Sequence, residues 1–272
     1  MKAVIPAAGL GTRMLPVTKT QPKEMLPILT KPAIHYVVEE AVNSGCKDIL
    51  IITGRTKRAI EDYFDRSPEL EEFLKKKGKE KELHEILQIS EMANIMYIRQ
   101  KEPLGLGHAI LIAEKFVGDE PFAILLGDDV IINDVPATKM LIDVYTKTGD
   151  PVIGVIKIDK KDSNKYGIIK PSTLSKPPLY VVDELVEKPE PENAPSNLAV
   201  VGRYLLTPEI FTYLKNIQKG KGGEYQLTDA LRLFAFSRRL LALELPGTRL
   251  DIGSPESWLK ANIFMGKREG LI

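Results

Sequence analysis

Lys2-Ala3-Val4-Ile5-Pro6-Ala7-Ala8-Gly9-Leu10-Gly11-Thr12-Arg13 is the stretch on which the reading of this 272-residue chain turns. Ala3-Val4-Ile5 is a short apolar run that predicts a buried strand, so the glycines fall where the chain leaves a sheet edge. Glycine permits positive φ and close approach of the backbone, which turns successive N–H groups toward an anion. Arg13 adds a fork of donors, and Lys23, in the following Pro22-Lys23-Glu24-Met25-Leu26-Pro27, adds a mobile point charge. The combination reads as a triphosphate site. Two commoner nucleotide loops do not fit. A dinucleotide fingerprint requires a third small residue where Met14 stands, and an acidic residue at the end of the second strand, where Ile51-Ile52-Thr53-Gly54 has none. A Walker loop requires Gly-Lys-Ser/Thr directly before a helix, whereas Lys23 lies beyond Pro16 and Pro22.

Beyond that loop, short apolar runs alternate with amphipathic segments, the pattern of an α/β fold with a mostly parallel sheet covered on both faces. Residues 48–53, 94–98 and 122–126 are predicted as central strands, with residues 33–43, 56–64 and 105–116 as helices between them. Crossovers of this kind bring strand C-termini to one edge, where such sheets bind ligands. The glycine loop and Asp128-Asp129 both fall at predicted strand C-termini and are expected to converge. Residues 69–87 are charged and helix-rich, with Leu70, Phe73, Leu74, Leu83, Ile86 and Leu87 able to line one face. Their lysines are matched by glutamates, which predicts a solvated helical insertion at about residues 66–90. After Gly149 the chain turns β-rich, with strands expected at 152–158, 180–187 and 199–206. Residues 172–178 resemble a loop or hairpin tip, residues 189–195 an exposed proline-rich segment, and residues 255–267 a closing helix packed through Trp258 and Phe264.

Composition narrows the classes further. With 43% hydrophobic and 28% charged residues, the chain can enclose a large core and is expected to be soluble and globular. A formal net charge of +1 argues against a general polyanion binder, so nucleic acid is not an expected partner. The single Cys46 excludes an internal disulfide, and no apolar run approaches the roughly 18 residues of a membrane span. Met1 leads straight into the first strand, from which a cytoplasmic location is expected.

Further motifs carry a resemblance. Arg99-Gln100-Lys101-Glu102-Pro103-Leu104-Gly105-Leu106-Gly107-His108-Ala109, Leu126-Gly127-Asp128-Asp129 and Val186-Glu187-Lys188-Pro189 follow the opening pair in order. Gly222-Gly223-Glu224-Tyr225-Gln226-Leu227-Thr228-Asp229-Ala230 and Asp251-Ile252-Gly253-Ser254-Pro255 complete the set. Nearly end to end, the chain resembles the nucleotide-sugar pyrophosphorylases, nearest their bacterial-type UTP–glucose-1-phosphate uridylyltransferases, with the glucose-1-phosphate thymidylyltransferases next. The resemblance implies one nucleotidyltransferase domain with a Rossmann-like sheet flanked by helices. Residues 1–150 would form its nucleotide-binding part, and residues 151–272 a smaller β-rich sugar-phosphate part with the C-terminal helix.

The chemistry so implied joins UTP to α-D-glucose 1-phosphate, giving UDP-glucose and pyrophosphate, by in-line attack of an existing phosphate oxygen and with no covalent intermediate. That oxygen is already ionised at neutral pH, so positioning and charge neutralisation replace a general base. The resemblance places Arg13 and Lys23 in catalysis. Ala8, Gly9, Gly11, Thr12, Arg13, Glu24, Gln100 and Gly105 are placed at the nucleotide, where a buried amide such as Gln100 suits a pyrimidine imide. Asp129, Gly167, Glu187, Lys188 and Gly202 are placed at the sugar phosphate, and Asp128 and Asp251 at a magnesium ion. By themselves Gly127-Asp128-Asp129 fits a capped turn equally well, Asp251 a loop before a helix, Glu187-Lys188-Pro189 a strand exit, and Thr228-Asp229 an N-terminal cap. His108 has no second ligand residue nearby and reads as structural. Use of dTTP, and a regulatory sensor without catalysis, remain open alternatives, although a sensor is expected to have lost Arg13, Lys23 or Asp128. The family resemblance also implies a homo-oligomer, dimer or tetramer.

Overall fold

The computed structural model describes the backbone of residues 1–272 and every side chain except that of Lys221. β1 (Lys2–Pro6) feeds the glycine loop, and a hairpin of β2 (Pro27–Ile28) and β3 (Lys31–Pro32) follows. Then come α1 (Ala33–Asn43), β4 (Asp48–Thr53), α2 (Arg58–Phe64) and the insertion helices α3 (Pro68–Lys76) and α4 (Glu80–Glu91). β5 (Asn94–Arg99), α5 (Leu106–Ile112), α6 (Glu114–Val117), β6 (Phe122–Leu125), β7 (Asp129–Ile132) and α7 (Ala137–Thr148) continue the chain. The remainder is β8 (Val152–Lys157), β9 (Gly167–Pro171), β10 (Leu179–Glu187), β11 (Leu198–Leu206), α8 (Ile210–Leu214), α9 (Leu227–Ser237), β12 (Leu241–Glu244), β13 (Thr248–Asp251) and α10 (Pro255–Arg268).

Nine of the described strands form one sheet in the order β5-β4-β1-β6-β11-β8-β12-β10-β9. β5, β4, β1 and β6 are parallel neighbours, while β11 and β10 run against the strands beside them, so the sheet is mixed in its second half. The central strands read as continuous apolar runs because helices cover both faces. Their two-residue period divides the core: Ala3 and Ile5 of β1, Ile49 and Ile51 of β4, and Ala123 and Leu125 of β6 join α1 on one face. Val4, Leu50, Ile52, Phe122 and Ile124 join α5, α8 and α9 on the other. Burying each larger aliphatic side chain contributes roughly 1.5–3 kcal/mol. Connections from β1 run toward β5 on one side and return to β6 on the other, so the order reverses next to β1, where open α/β sheets bind ligands.

Several expectations change in detail. The helix expected over residues 105–116 breaks at Ala113 into α5 and α6. In the insertion Leu74 is buried, Leu83, Ile86 and Leu87 are half-buried, and Leu70 and Phe73 face solvent. Within residues 189–195, Pro189 and Ala194 are buried rather than exposed. Asp251 ends a strand, not a loop: β13 pairs antiparallel with β7, in a register that sets Asp251 opposite Asp129. The closing helix forms as expected, with Ser254 as its N-cap in a reciprocal capping box with Ser257. Trp258 and Phe264 pack against the core. No helix among the described residues is long and apolar enough to cross a membrane.

Candidate active site

Two cavities that share a wall open at the C-terminal edge of the parallel strands. The first, about 480 Å3, is lined by Ala8, Gly9, Gly11, Thr12, Lys23, Glu24, Gln100, Gly105 and Asp128. The second, about 340 Å3, is lined by Arg13, Asp128, Asp129, Gly167, Glu187, Lys188, Gly202 and Asp251. Leu106, Leu126, Asp128 and Glu224 belong to both. Each residue expected at the nucleotide, the sugar phosphate or the metal therefore lines one of these two cavities, whereas His108 and Asp229 line neither. Arg13 differs in detail, because it lies exposed over Gly253 on the second cavity and does not line the first.

In the first cavity, Gly11 takes φ 67° to start the short turn Thr12–Met14, and its carbonyl accepts from Thr18 Oγ1 at 2.8 Å. Gly105, at φ 102°, lets the segment after Gly223 pack against the start of α5. A Cβ there would stand 2.7 Å from Glu224 Cβ and 2.8 Å from the Tyr225 carbonyl oxygen. Gln100 is buried, and its Nε2 donates to the Gly105 carbonyl at 3.2 Å and lies 3.0 Å from His108 Nδ1. The amide nitrogen is thus committed to the protein, and His108 serves as its structural support.

The floor between the cavities is charged. Lys23 pairs with Asp128, and beneath them the buried Glu24 pairs with the equally buried Lys57 at 2.7 Å. Burial works against the charge on Asp128, but the Lys23 ammonium outweighs it and holds the carboxyl below its ordinary value. Burial also opposes the Lys23 charge, and Asp128 and Glu24 together outweigh it and raise the ammonium. At Glu24 burial wins, and the carboxyl is raised despite Lys57 and Lys23.

In the second cavity Asp129 is almost wholly buried. Its carboxylate accepts from Arg249 Nε at 2.8 and 3.0 Å and from the Gly202 amide at 3.1 Å, and Arg249 lines the cavity beside it. Arg249 also donates to Tyr166 Oη at 3.1 Å. Burial exceeds the pull of Arg249 and Arg203 and raises the Asp129 carboxyl. Glu187 accepts from Thr228 Oγ1 at 2.6 Å and lies 3.1 Å from Lys188 Nζ. Thr228 is therefore not the cap suggested by its sequence position: α9 starts after Gln226, with no side-chain cap. Lys188 holds φ 46°, a strained value for a residue with a side chain, fixed by its amide donating to the Tyr166 carbonyl at 2.9 Å.

The residues present fit a hard divalent cation. Asp128 and Asp251 line one cavity, and the Ile252 amide donates to the Asp128 carbonyl at 3.3 Å, joining the two segments. Among the described residues no three His, Cys, Asp or Glu side chains gather as a metal cage. Two carboxylates beside a phosphate-sized cavity are what magnesium typically uses, with substrate oxygens and water completing its shell.

Sequence reading did not single out Lys57, Glu40, Arg203 or Arg249. Arg203 carried a signal: one charge in the otherwise uncharged Leu198–Leu206 must be paired wherever that strand is buried. Lys57 carried none, since its loop looks like any polar connection.

The profile of the nucleotidyl transferase family matches residues 2–268. The chain is 58% identical over 265 residues to UTP–glucose-1-phosphate uridylyltransferase YngB of Bacillus subtilis (strain 168), covering 97% of this chain and 89% of that protein. A crystal structure of UDP-glucose pyrophosphorylase complexed with UDP-glucose shares 45% identity, with TM-score 0.89 and 98% of each chain covered. A UTP-bound UGPase from Acinetobacter baumannii shares 39% identity, with TM-score 0.90, over 98% of this chain and 93% of that one.

Proposed function

The chain belongs to the nucleotidyl transferase family, and on that basis we propose that it makes UDP-glucose and pyrophosphate from UTP and α-D-glucose 1-phosphate. The observation that carries this reading is the pair of cavities meeting at Asp128, one bounded by the glycine loop and Gln100, the other by Glu187 and Lys188. The uracil lies in the first cavity. There Gln100, its nitrogen already engaged, offers its oxygen to the imide N–H. Ala8, Gly9, Gly11 and Thr12 bring backbone to the ribose and triphosphate, and Glu24 acts from below by setting the Lys23 turn against Lys57.

Glucose 1-phosphate occupies the second cavity. Glu187 accepts from sugar hydroxyls, Lys188 binds the phosphate, and Gly167 and Gly202 form part of the wall around the sugar. Asp129 acts through Arg249, which it holds at the cavity wall. The acceptor phosphate oxygen attacks the α-phosphorus in line and pyrophosphate leaves, with no proton to remove. Lys23 and Arg13 offset the charge of two anions brought together, and this is the chief barrier. Asp128 and Asp251 would hold magnesium, which supplies further positive charge to the phosphate oxygens when bound. The nucleotide-binding part is assigned to residues 1–150 and the sugar-phosphate part to residues 151–272. The likeness to uridylyltransferases supports a cytoplasmic homo-oligomer, dimer or tetramer.

The test is pyrophosphate release with each nucleoside triphosphate in turn, supplied with glucose 1-phosphate and magnesium. UTP is expected to exceed dTTP by about 10-fold or more, since a C5 methyl is worth only about 1–3 kcal/mol in a fitted pocket. Equal rates with purine nucleotides, or no release with UTP, would overturn the assignment.

A further inference from the structure

Resting on the uridylyl-transfer reading, we propose that Arg203, paired with Glu40 beneath the sheet, is a positioning residue for the glucose-phosphate end of the site. It sits in the middle of β11, where no atom of its side chain reaches solvent. Nε donates to Glu40 Oε1 at 2.9 Å and Nη2 to Glu40 Oε2 at 2.7 Å, a two-pronged pair between β11 and α1. Glu40 is fixed in turn by the amide and hydroxyl of Thr138, at 3.0 and 2.7 Å, in the first turn of α7. The rest of the guanidinium faces backbone. Nη1 donates to the Gly202 carbonyl at 2.9 Å and Nη2 to the Asp129 carbonyl at 2.7 Å.

The two residues that carry those carbonyls both line the second cavity. β11 slips register against β8 between Val200 and Tyr204, and Gly202 lies inside that irregularity. Its amide donates to Asp129 Oδ2, and its carbonyl also accepts from the Leu126 amide at 2.9 Å. A Cβ on Gly202 would stand 2.8 Å from Leu126 Cβ and 3.0 Å from Asp129 Oδ2. Strand β11 and the turn leading into β7 are therefore drawn together around Asp129, whose carboxylate holds Arg249 at the cavity. Arg203 fixes the same junction from the opposite face, reaching it through the main chain and touching no substrate.

Stability alone gives no reason for this arrangement. A buried ion pair bears a desolvation cost that well-packed apolar residues avoid, and replacing such a pair with apolar residues is often neutral or stabilising. What apolar residues cannot reproduce is the fork that ties two backbone carbonyls at a fixed separation. The positioning role thus predicts that binding and stability come apart.

The experiment compares wild type, the double variant Glu40→Met/Arg203→Met, and Arg203→Lys, which keeps the charge without the planar fork. Thermal unfolding is measured for each, with UDP-glucose binding by calorimetry and separate KM values for UTP and glucose 1-phosphate. The double variant should melt no lower than Arg203→Lys, yet both should bind UDP-glucose about 10-fold more weakly, as is typical when a group supporting a site residue is lost. KM for glucose 1-phosphate should rise by a similar factor, while KM for UTP stays within about twofold. Unchanged UDP-glucose affinity in either folded variant would overturn the proposal, as would equal rises in both KM values. Absence of wild-type turnover would instead overturn the functional reading, so the two failures are distinguishable.

Discussion

Glu40 is a carboxylate that this fold cannot leave alone. Burial opposes its charge, but Arg203 and Thr138 outweigh burial and hold the carboxyl below its ordinary value of 4.5. A carboxyl lowered on folding contributes stability that is fully present above the unfolded value and is lost as pH falls through the folded one. Glu40→Ala leaves Arg203 buried without its partner, so at neutral pH the variant should be about 3–5 kcal/mol less stable in urea unfolding. Below about pH 4.5 the unfolded wild-type chain takes up a proton at Glu40 that the folded pair still excludes, so wild type loses part of its advantage and the gap should narrow. The raised carboxyl of Glu24 gives the opposite slope, but it is common to both proteins and cancels in the difference. A gap that stays constant from neutral pH to about pH 3.5 would show that Glu40 is not the charged partner described here.

Helix α10 links the two ends of the chain. It begins four residues after the end of β13 at Asp251, and Trp258 Nε1 and Asn262 Nδ2 both donate to the Pro27 carbonyl, at 2.8 and 3.3 Å, in the hairpin that follows the Lys23 turn. Its start depends on Ser254, whose hydroxyl accepts from the Ser257 amide at 3.3 Å while Ser257 Oγ accepts from the Ser254 amide at 3.2 Å. Ser254→Ala should cost about 1 kcal/mol and lower the melting midpoint by about 2–4 °C; an unchanged midpoint would mean that the cap does not hold the helix start. The helix itself was legible in the sequence, as was α1, because each shows an apolar helical period, and β4 was legible as a continuous apolar run between turn residues. The β7–β13 ribbon was not: Val130-Ile131-Ile132 is too short to show a period, and its partner strand lies over 100 residues away. The break at Ala113 was equally hidden, since alanine favours helix and the apolar spacing runs through it.

Across the whole molecule, the site depends on loops that leave neighbouring strands at one sheet edge. The motif residues at that edge could be found because each carries its own turn chemistry, as in Gly9-Leu10-Gly11 or Gly127-Asp128. The residues that hold them in place, Lys57, Glu40 and Arg203, are buried and belong to no motif, and only Arg203 stands out, as the one charge in an apolar strand. The same layout predicts how ligands should act on stability. UDP should engage only the first cavity, whereas UDP-glucose should span both across the shared wall at Asp128. A ligand that binds only the folded state stabilises it by about 2.7 kcal/mol at 100 times its Kd, and tighter binding at fixed concentration raises the melting midpoint further. At equal concentrations with magnesium, UDP-glucose should therefore raise the midpoint more than UDP, and glucose 1-phosphate alone should raise it least. Glu187→Ala, which strips only the second cavity of a carboxylate, should bring the UDP-glucose shift down toward that of UDP and leave the UDP shift unchanged. If UDP and UDP-glucose raised the wild-type midpoint equally, the second cavity would contribute nothing to product binding, and its assignment to the sugar would fail.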